Sequence, residues 1–420
     1  MMSMFDSAAM LFVVAALIGV GNELTLRLPR PVALLLGALF LVMVIIGADM
    51  ALGTALHERI GLRISDAHLP QALLGGLVAL LLFAGSLQFD PRDLRHQVMR
   101  VFVLATVSVV LAAILFGGAI WAALQLIGQP LPLGWCFVIG AILAPTDAVA
   151  VEGLLAQARL PSTLRATIAG ESLFNDGAAV VLFATSLAIV HGHREMVGHG
   201  HITEAILIEG GVGVLLGAAA GYLASRLISL TRDGNVVITI SLALAISVYR
   251  AAVALDVSGP IAVVIAGMVL AHAVDRRAHG TPVQSTLSTF WPFVAEILNT
   301  LLFLLAGLEV LAIRPSWNVL LATAVALPLA LLARLLSVGA PLLIMGVRHP
   351  VRTSAFLTWA GLRGGLSVAL ALIVPENPYR NHVVTICFGV VIFSVVVQGL
   401  LLPRVAEALF GRSETRSTLG

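Results

Sequence analysis

The segment GAILAPTDAVA, residues 140–150, places a proline and an aspartate in the middle of an apolar run. A proline ring removes one backbone hydrogen bond from a helix and collides with the preceding turn. The carbonyl groups that are freed next to Asp147 need partners, because the interior of a bilayer supplies no water. This segment therefore predicts a membrane helix that is interrupted at mid-depth beside a carboxylate.

A second interruption is predicted near the end of the chain, where residues 361–367 read GLRGGLS. Three glycines loosen the helix around Arg363. Two broken helices at the midplane, one in each half of the chain, are typical of transporters built from inverted repeats. The alternative is close helix packing through small residues, which enriches glycine without a transport function. That alternative does not explain a central aspartate and a central arginine beside the breaks.

The composition places the whole chain in a membrane. Of its 420 residues, 59% are apolar and 11% are charged, and the mean hydropathy is +1.04. A spanning helix needs about 20 apolar residues, and the apolar runs predict an all-α polytopic protein with thirteen spans and short loops. The predicted spans are residues 5–26, 31–49, 70–88, 98–127, 133–156, 166–190, 203–229, 235–251, 257–274, 290–312, 317–346, 353–374 and 382–410.

The basic residues predict the orientation of the chain. All 24 of them are arginine, which excludes chemistry that depends on a lysine Schiff base or a lysine nucleophile. Basic residues accumulate in cytoplasmic loops, and an outside N-terminus puts sixteen arginines on the inner side and six on the outer side. We expect an integral protein of the cell (inner) membrane with a short cytoplasmic tail, residues 411–420.

Two arginines, Arg334 and Arg363, fall near the middle of their predicted spans. A charge at the bilayer centre costs about 2.5–3.5 kcal/mol unless it has a partner or a wet cavity. Pairing with carboxylates is therefore expected, and any carboxylate left over is available for a ligand. The candidate carboxylates are Asp147, Glu171 and Asp176 at mid-span, with Glu152, Glu296 and Glu309 nearer the ends of their spans.

The sixth span carries the sequence GESLFNDG, residues 170–177. At helical spacing Ser172 and Asp176 share one face, and Glu171 and Asn175 share the adjacent face. Oxygen ligands suit small hard cations and protons rather than soft metals. The pattern indicates a cation or proton site, and the alternative is a set of polar contacts between helices.

Three segments together carry a family likeness: APTD at 144–147, GESLFND at 170–176 and GLRGG at 361–365. In this order they resemble the monovalent cation:proton antiporters, specifically the bacterial NhaP-like sodium/proton exchanger branch with an Asn-Asp pair. The resemblance implies a homodimer in the lipid membrane. It also implies a core ion-transport bundle of residues 98–190 and 317–410, scaffold helices in 1–97 and 235–312, and an outer loop and linker helix in 191–234.

The resemblance further implies exchange of Na⁺ or Li⁺ for H⁺ by alternating access, electroneutral as in members with an asparagine before the second aspartate. It implies a structural ion pair of Glu171 with Arg334, and it places Arg363 at the crossing of the two broken helices. No catalytic residue, resident metal or cofactor is expected. The cation and proton site is assigned to Asp147, Asp176, Ser172, Thr146 and Asn175.

One position departs from the family pattern. Many relatives carry an acidic residue after a Leu-Leu-Phe run in the third span, and here Ala84 follows Leu81-Leu82-Phe83. A third carboxylate is therefore missing from its usual place, which affects the expected ion affinity and selectivity.

Other readings stay open at this stage. The same midplane residues could serve a K⁺/H⁺ antiporter, a passive cation channel or an intramembrane enzyme, although no nucleophile or metal set for an enzyme is found. The loop at 191–201 holds four histidines and could bind Zn²⁺, sense pH or be a polar loop. Glu296 and Asn299 could form a scaffold contact, a second polar site or a dimer feature. No nucleic-acid partner is expected.

Overall fold

A computed structural model of the chain describes residues 4–52, 69–87, 98–147, 151, 162–190, 201–278, 282–310, 316–347 and 349–411. Within these ranges the secondary structure is helical and no strand is found. The helices are α1 (Met4–Leu24), α2 (Arg30–Leu52), α3 (Leu69–Leu87), α4 (Val98–Ala105), α5 (Val107–Leu126), α6 (Leu133–Ile142), α7 (Ser162–Val190), α8 (His201–Ile228), α9 (Gly234–Ala254), α10 (Gly259–Ala278), α11 (Pro282–Glu309), α12 (Trp317–Ile344), α13 (Pro350–Ala360), α14 (Gly365–Ile373), α15 (Arg380–Phe393), a π-helical segment (Ser394–Gln398) and α16 (Gly399–Phe410).

The helical membrane fold predicted from the composition is confirmed. Each of the thirteen predicted spans overlaps at least one of these helices. In the described part of the chain, nine helical stretches are long and apolar enough to cross a membrane, or ten if α13 and α14 form one bent span. Two shorter apolar helices, Ala9–Leu24 and α6, are additional to these. The number of thirteen spans therefore stays a prediction.

The helices contact one another in two groups. One group contains α4 to α7 together with α12 to α16, in which α12 packs on α5, α13 and α15, and α7 packs on α4 and α6. The other contains α1 to α3 and α8 to α11. Contacts of α14 with α3 and α11, and of α7 with α3 and α10, join the two groups. Both breaks predicted from the sequence lie in the first group.

Glycine allows the closest helix pair of the second group. Gly213, Gly217 and Gly221 recur every four residues on α8 and are buried against α10. A Cβ atom at Gly217 would overlap the carbonyl oxygen of Ala262. Small residues at this spacing let two membrane helices approach until their backbones touch. Small-residue packing is therefore present in the protein, but this stripe lies away from the two breaks.

Helix α11 begins at Pro282, eight residues before the predicted start at residue 290. The added turns are polar in composition, which hides them from a search for apolar runs. Three buried side chains, Val283, Leu287 and Trp291, nevertheless recur every four residues along one face. An amphipathic stripe of this kind packs a helix against its neighbours without a continuous apolar run.

Two glycine-to-alanine substitutions on α8 form a matched pair. Gly217→Ala forces a methyl group into the backbone of α10, which should lower the free energy of unfolding by about 1–3 kcal/mol. Gly211→Ala is the control, because nothing lies within 4 Å of its Cβ position, and alanine has the better helix propensity by about 1 kcal/mol. Unfolding in detergent measures both. Equal stability of the two variants would contradict the close approach.

Candidate functional site

The first half of the site is the break in the fifth predicted span. Helix α6 ends at Ile142, and residues 143–147 are not helical. Pro145 has no N–H to continue the helix. The backbone N–H of Asp147 instead donates to the carbonyl of Leu362 at 2.8 Å. The break in the first half of the chain is thus hydrogen-bonded to the segment that interrupts the twelfth span.

The second break lies between α13 and α14, which meet at an angle of 59°. Gly364 is the N-cap of α14, and a Cβ atom there would overlap the carboxylate of Asp147. Any residue other than glycine would therefore displace that carboxylate. The N-terminus of a helix carries a partial positive charge that favours a nearby anion. This close approach places the Asp147 carboxylate at the positive end of α14.

Arg363, which lies in the second break, also connects the two breaks. Its guanidinium Nη1 donates to the carbonyls of Ala144 at 2.9 Å and Pro145 at 3.1 Å. These carbonyls follow the C-terminus of α6, where a partial negative charge favours a cation. Arg363 is 5% exposed, and it satisfies carbonyl groups that the break would otherwise leave without partners.

Helix α7 holds Thr146 in place with two side chains. Ser172 donates from its hydroxyl to the Thr146 carbonyl, and Asn175 donates from Nδ2 to the Thr146 hydroxyl at 2.7 Å. All three residues are buried. The Oδ1 atom of Asn175 is also buried and has no hydrogen-bond partner within the described residues. A buried amide oxygen without a donor is available to coordinate a cation.

Asp176 follows Asn175 on α7 and is half-buried, as is Asp147. The two carboxylates are close enough for their charges to interact. When both are ionised, they repel each other, so the pair favours a bound cation or proton. The structure thus brings the five predicted site residues onto the break after α6 and the adjoining stretch of α7.

A buried ion pair lies beside this set. Arg334 on α12 donates from Nη2 to Oε1 of Glu171, and both side chains are almost completely enclosed. The Nε atom of Arg334 lies 2.9 Å from where a Cβ atom of Gly361 would be, so the glycine makes room for the guanidinium. Within the described residues Nε and Nη1 have no hydrogen-bond partner. Glu171 is therefore engaged with an arginine.

Several other predicted features lie away from these residues or cannot be placed. Ala84 is fully buried in α3, a helix that contacts α14 and α7, and its methyl group supplies no oxygen ligand. Glu296 pairs with the exposed Arg30 at the start of α2, while Asn299 is buried. Most of the histidine loop, residues 191–200, and Glu152 lie outside the described residues.

Sequence reasoning did not identify three contributions of the backbone and the glycines. The Leu362 carbonyl and the close approaches at Gly361 and Gly364 depend on how the breaks face each other. The only signal for them was the glycine-rich run itself, which predicted a loosened helix but not its neighbours.

The arrangement can hold a small hard cation. It offers carboxylate, hydroxyl, amide and backbone oxygens in a helical membrane protein, and these are the ligand types that hard cations prefer. In the described ranges no group of three or more His, Cys, Asp or Glu side chains is arranged to hold a metal ion. These oxygens can coordinate a small cation, and the two carboxylates can bind protons.

The chain is similar to known Na⁺/H⁺ antiporters along nearly its whole length. The Na⁺/H⁺ antiporter NhaP of Pseudomonas aeruginosa is 34% identical over 415 residues, which cover 97% of each chain. The Na⁺/H⁺ antiporter NhaH of Halobacillus dabanensis is 31% identical over 339 residues, covering 79% of this chain and 81% of that protein. The solved structure of the sodium proton antiporter MjNhaP1 from Methanocaldococcus jannaschii superimposes with a TM-score of 0.78 at 19% identity. The match covers 98% of this chain and 100% of that one, so it shows the same fold.

A family description also matches the chain. The sequence profile described as "Sodium/hydrogen exchanger, transmembrane" covers residues 8–408. The match spans both breaks, α7 and the buried ion pair. With the relatives above, it shows that this integral membrane protein belongs to the sodium/hydrogen exchanger family.

Proposed function

We propose that the chain is a secondary antiporter that exchanges Na⁺ for H⁺ across the membrane. The observation that carries the proposal is the pair of half-buried carboxylates, Asp147 and Asp176, beside an oxygen-lined break in a membrane helix. Two nearby carboxylates that share a site cannot easily ionise together unless a cation lies between them. Na⁺ and a proton therefore compete for the same negative charge. The Na⁺/H⁺ antiporters among its relatives support this assignment.

Each site residue has a distinct part in the proposal. Asp147 and Asp176 bind the cation and the proton in alternation. The Ser172 hydroxyl, the Thr146 oxygens and the unpartnered Oδ1 of Asn175 complete the oxygen ligands. No step requires an enzyme's nucleophile or a resident metal.

The two groups of helices support a division of labour. The core bundle, residues 98–190 and 317–410, contains both breaks and would move during alternating access. The scaffold, residues 1–97 and 235–312, would stay fixed and form the homodimer contact. Residues 191–234 would link the two parts, and their helix α8 packs on the scaffold helices α9 and α10. We place the chain in the cell (inner) membrane, and the arginine distribution supports an outside N-terminus and a cytoplasmic tail.

Exchange is proposed to be electroneutral. Arginine keeps its proton at any reachable pH, so Arg334 and Arg363 cannot carry a transported one. If Na⁺ is bound by two ionised aspartates, the site carries one negative charge, and it carries the same charge when one proton replaces that cation. Both loaded states then cross the membrane with equal charge.

The first experiment measures proton movement driven by a cation gradient in proteoliposomes that contain the purified protein. A Na⁺ gradient should move protons in the opposite direction. A passive channel would conduct Na⁺ without coupled proton movement, and a K⁺/H⁺ antiporter would respond to K⁺ in place of Na⁺. Parallel assays with Na⁺, Li⁺ and K⁺ therefore distinguish these alternatives.

Asp147→Asn and Asp176→Asn should each reduce exchange to the level of empty liposomes, because asparagine keeps the shape and loses the titration. Asp233→Asn is the matched control. Asp233 caps α9 by accepting from the N–H of Asn235, and asparagine is an equally good cap. Exchange close to that of the unsubstituted protein in either site variant, with normal expression, would contradict the assignment.

Glu171 and Arg334 should stabilise the protein as a pair. Removing one partner of a buried ion pair costs about 3–5 kcal/mol, because the other charge remains buried. Glu171→Gln should be the harsher single change, since the guanidinium cannot lose its proton. The double variant Glu171→Gln with Arg334→Met should unfold in detergent at a higher temperature than Glu171→Gln alone. If neither single variant lowers the unfolding temperature, the pair does not contribute to stability.

Electroneutral exchange should be insensitive to voltage. A membrane potential acts on a moving charge with about 2.3 kcal/mol per charge per 100 mV. Na⁺/H⁺ exchange is measured in proteoliposomes with and without a potassium–valinomycin potential. Equal rates and equal end points are expected. A shift with voltage would show that unequal charges move, as with two protons per cation.

A further inference from the structure

The last predicted span is not a uniform α-helix. The π-helical segment Ser394–Gln398 separates α15 from α16. Ser394 and Gln398, at its two ends, are both buried. Isolated π-helical turns are frequent at functional sites, and this one lies against the break between α13 and α14.

The break removes one backbone hydrogen bond that can be identified. In a continuous α-helix, the N–H of Arg363 would donate to the carbonyl of Trp359, four residues earlier. Here the N–H of Arg363 donates instead to the hydroxyl oxygen of Ser394 at 2.9 Å. The carbonyl of Trp359 instead accepts from Nε2 of Gln398 at 3.2 Å. The two ends of the missing bond are therefore satisfied by the two ends of the π-helical segment.

A third hydrogen bond runs in the opposite direction. The indole Nε1 of Trp359 donates to the backbone carbonyl of Gln398 at 3.2 Å. Five residues after Gln398 stands Pro403, which has no N–H with which to extend the π-helical pattern. Trp359 and Gln398 thus hold each other through two bonds, and Ser394 adds a third between the two spans.

We propose that Ser394 and Gln398 are positioning residues that keep the twelfth span broken at the transport site. Ser394 fixes the backbone of Arg363, whose guanidinium binds the Ala144 and Pro145 carbonyls. The preceding residue, Leu362, accepts the N–H of Asp147. Displacing residues 362 and 363 would move the Arg363 guanidinium away from the C-terminus of α6. It would also move the Leu362 carbonyl, which accepts the N–H of Asp147. The proposal rests on the transport function proposed above for Asp147.

The hydrogen bonds predict different effects for the loss of one of the two side chains, Ser394 or Gln398, and for the loss of both. Without Ser394 alone, the Arg363 N–H loses its partner, and without Gln398 alone, the Trp359 carbonyl loses the amide donor. Without both, the two backbone groups can pair with each other as in an ordinary helix. That pairing would restore a satisfied backbone but would straighten the break and move Arg363 and Leu362 away from the fifth span.

The variants are Ser394→Ala, Gln398→Leu and the double variant. Each single change should raise the half-saturating Na⁺ concentration for exchange by about 5-fold or more, the effect of leaving one buried backbone group without a partner. The double variant should lose exchange while its unfolding temperature falls no further than that of the worse single variant. Ser354→Ala on α13 is the control, because that hydroxyl donates within its own helix, to the Pro350 carbonyl at 2.7 Å.

Gln398→Glu adds a readout that a purely structural role would not change. A protonated carboxylic acid can donate to the Trp359 carbonyl, whereas a carboxylate can only accept. Exchange by this variant, relative to the unsubstituted protein at each pH, should rise as the pH falls. A variant-to-wild-type ratio that does not change with pH would contradict a required donor at this position.

The outcomes separate this inference from the transport proposal. If the unsubstituted protein does not exchange Na⁺ for H⁺, the transport proposal fails, and the unfolding temperatures still test the hydrogen bonds of Ser394 and Gln398. Additive losses of stability in the double variant would overturn the inference, because the freed backbone groups would then not be pairing. The inference would also be overturned if both single variants had the same half-saturating Na⁺ concentration as an active unsubstituted protein.

Discussion

A backbone that breaks inside a bilayer must find partners within the protein, and the site depends on how this chain satisfies that requirement. The Ala144 and Pro145 carbonyls are bound by Arg363, and the N–H of Asp147 is bound by the Leu362 carbonyl. Each break therefore supplies partners to the other. The oxygens that face the site are held by this mutual arrangement, because neither break would be satisfied alone.

Permanent charge and exchangeable charge are separated within the same bundle. Arg334 is occupied by Glu171, and Arg363 is directed at backbone carbonyls. Asp147 and Asp176 are the two aspartates at the break and on the adjoining stretch of α7. The Asp147 carboxylate lies against Gly364 at the N-terminus of α14, where the partial positive charge of a helix attracts an anion. We propose that this carboxylate pair exchanges a proton for a cation.

The sequence predicted the features that leave a local mark. Pro145 and the glycines around Arg363 mark the two breaks, and the spacing within 170–177 predicts the polar faces of α7. Features that depend on a partner helix left no such mark. The Glu171 and Arg334 pair joins residues 163 positions apart and was expected only through family resemblance. The π-helical segment lies in a valine-rich run, and its two polar ends were indistinguishable from ordinary packing contacts.

The most direct test of competition between Na⁺ and a proton is calorimetry of Na⁺ binding to the detergent-solubilised protein in two buffers of different ionisation enthalpy. If one proton leaves the aspartate pair for each cation bound, the heats observed per Na⁺ in the two buffers should differ by the difference between the two buffers' ionisation enthalpies. The difference should disappear in Asp176→Asn. Saturable Na⁺ binding with the same heat in both buffers would mean that no proton is released, and it would contradict exchange at a shared site.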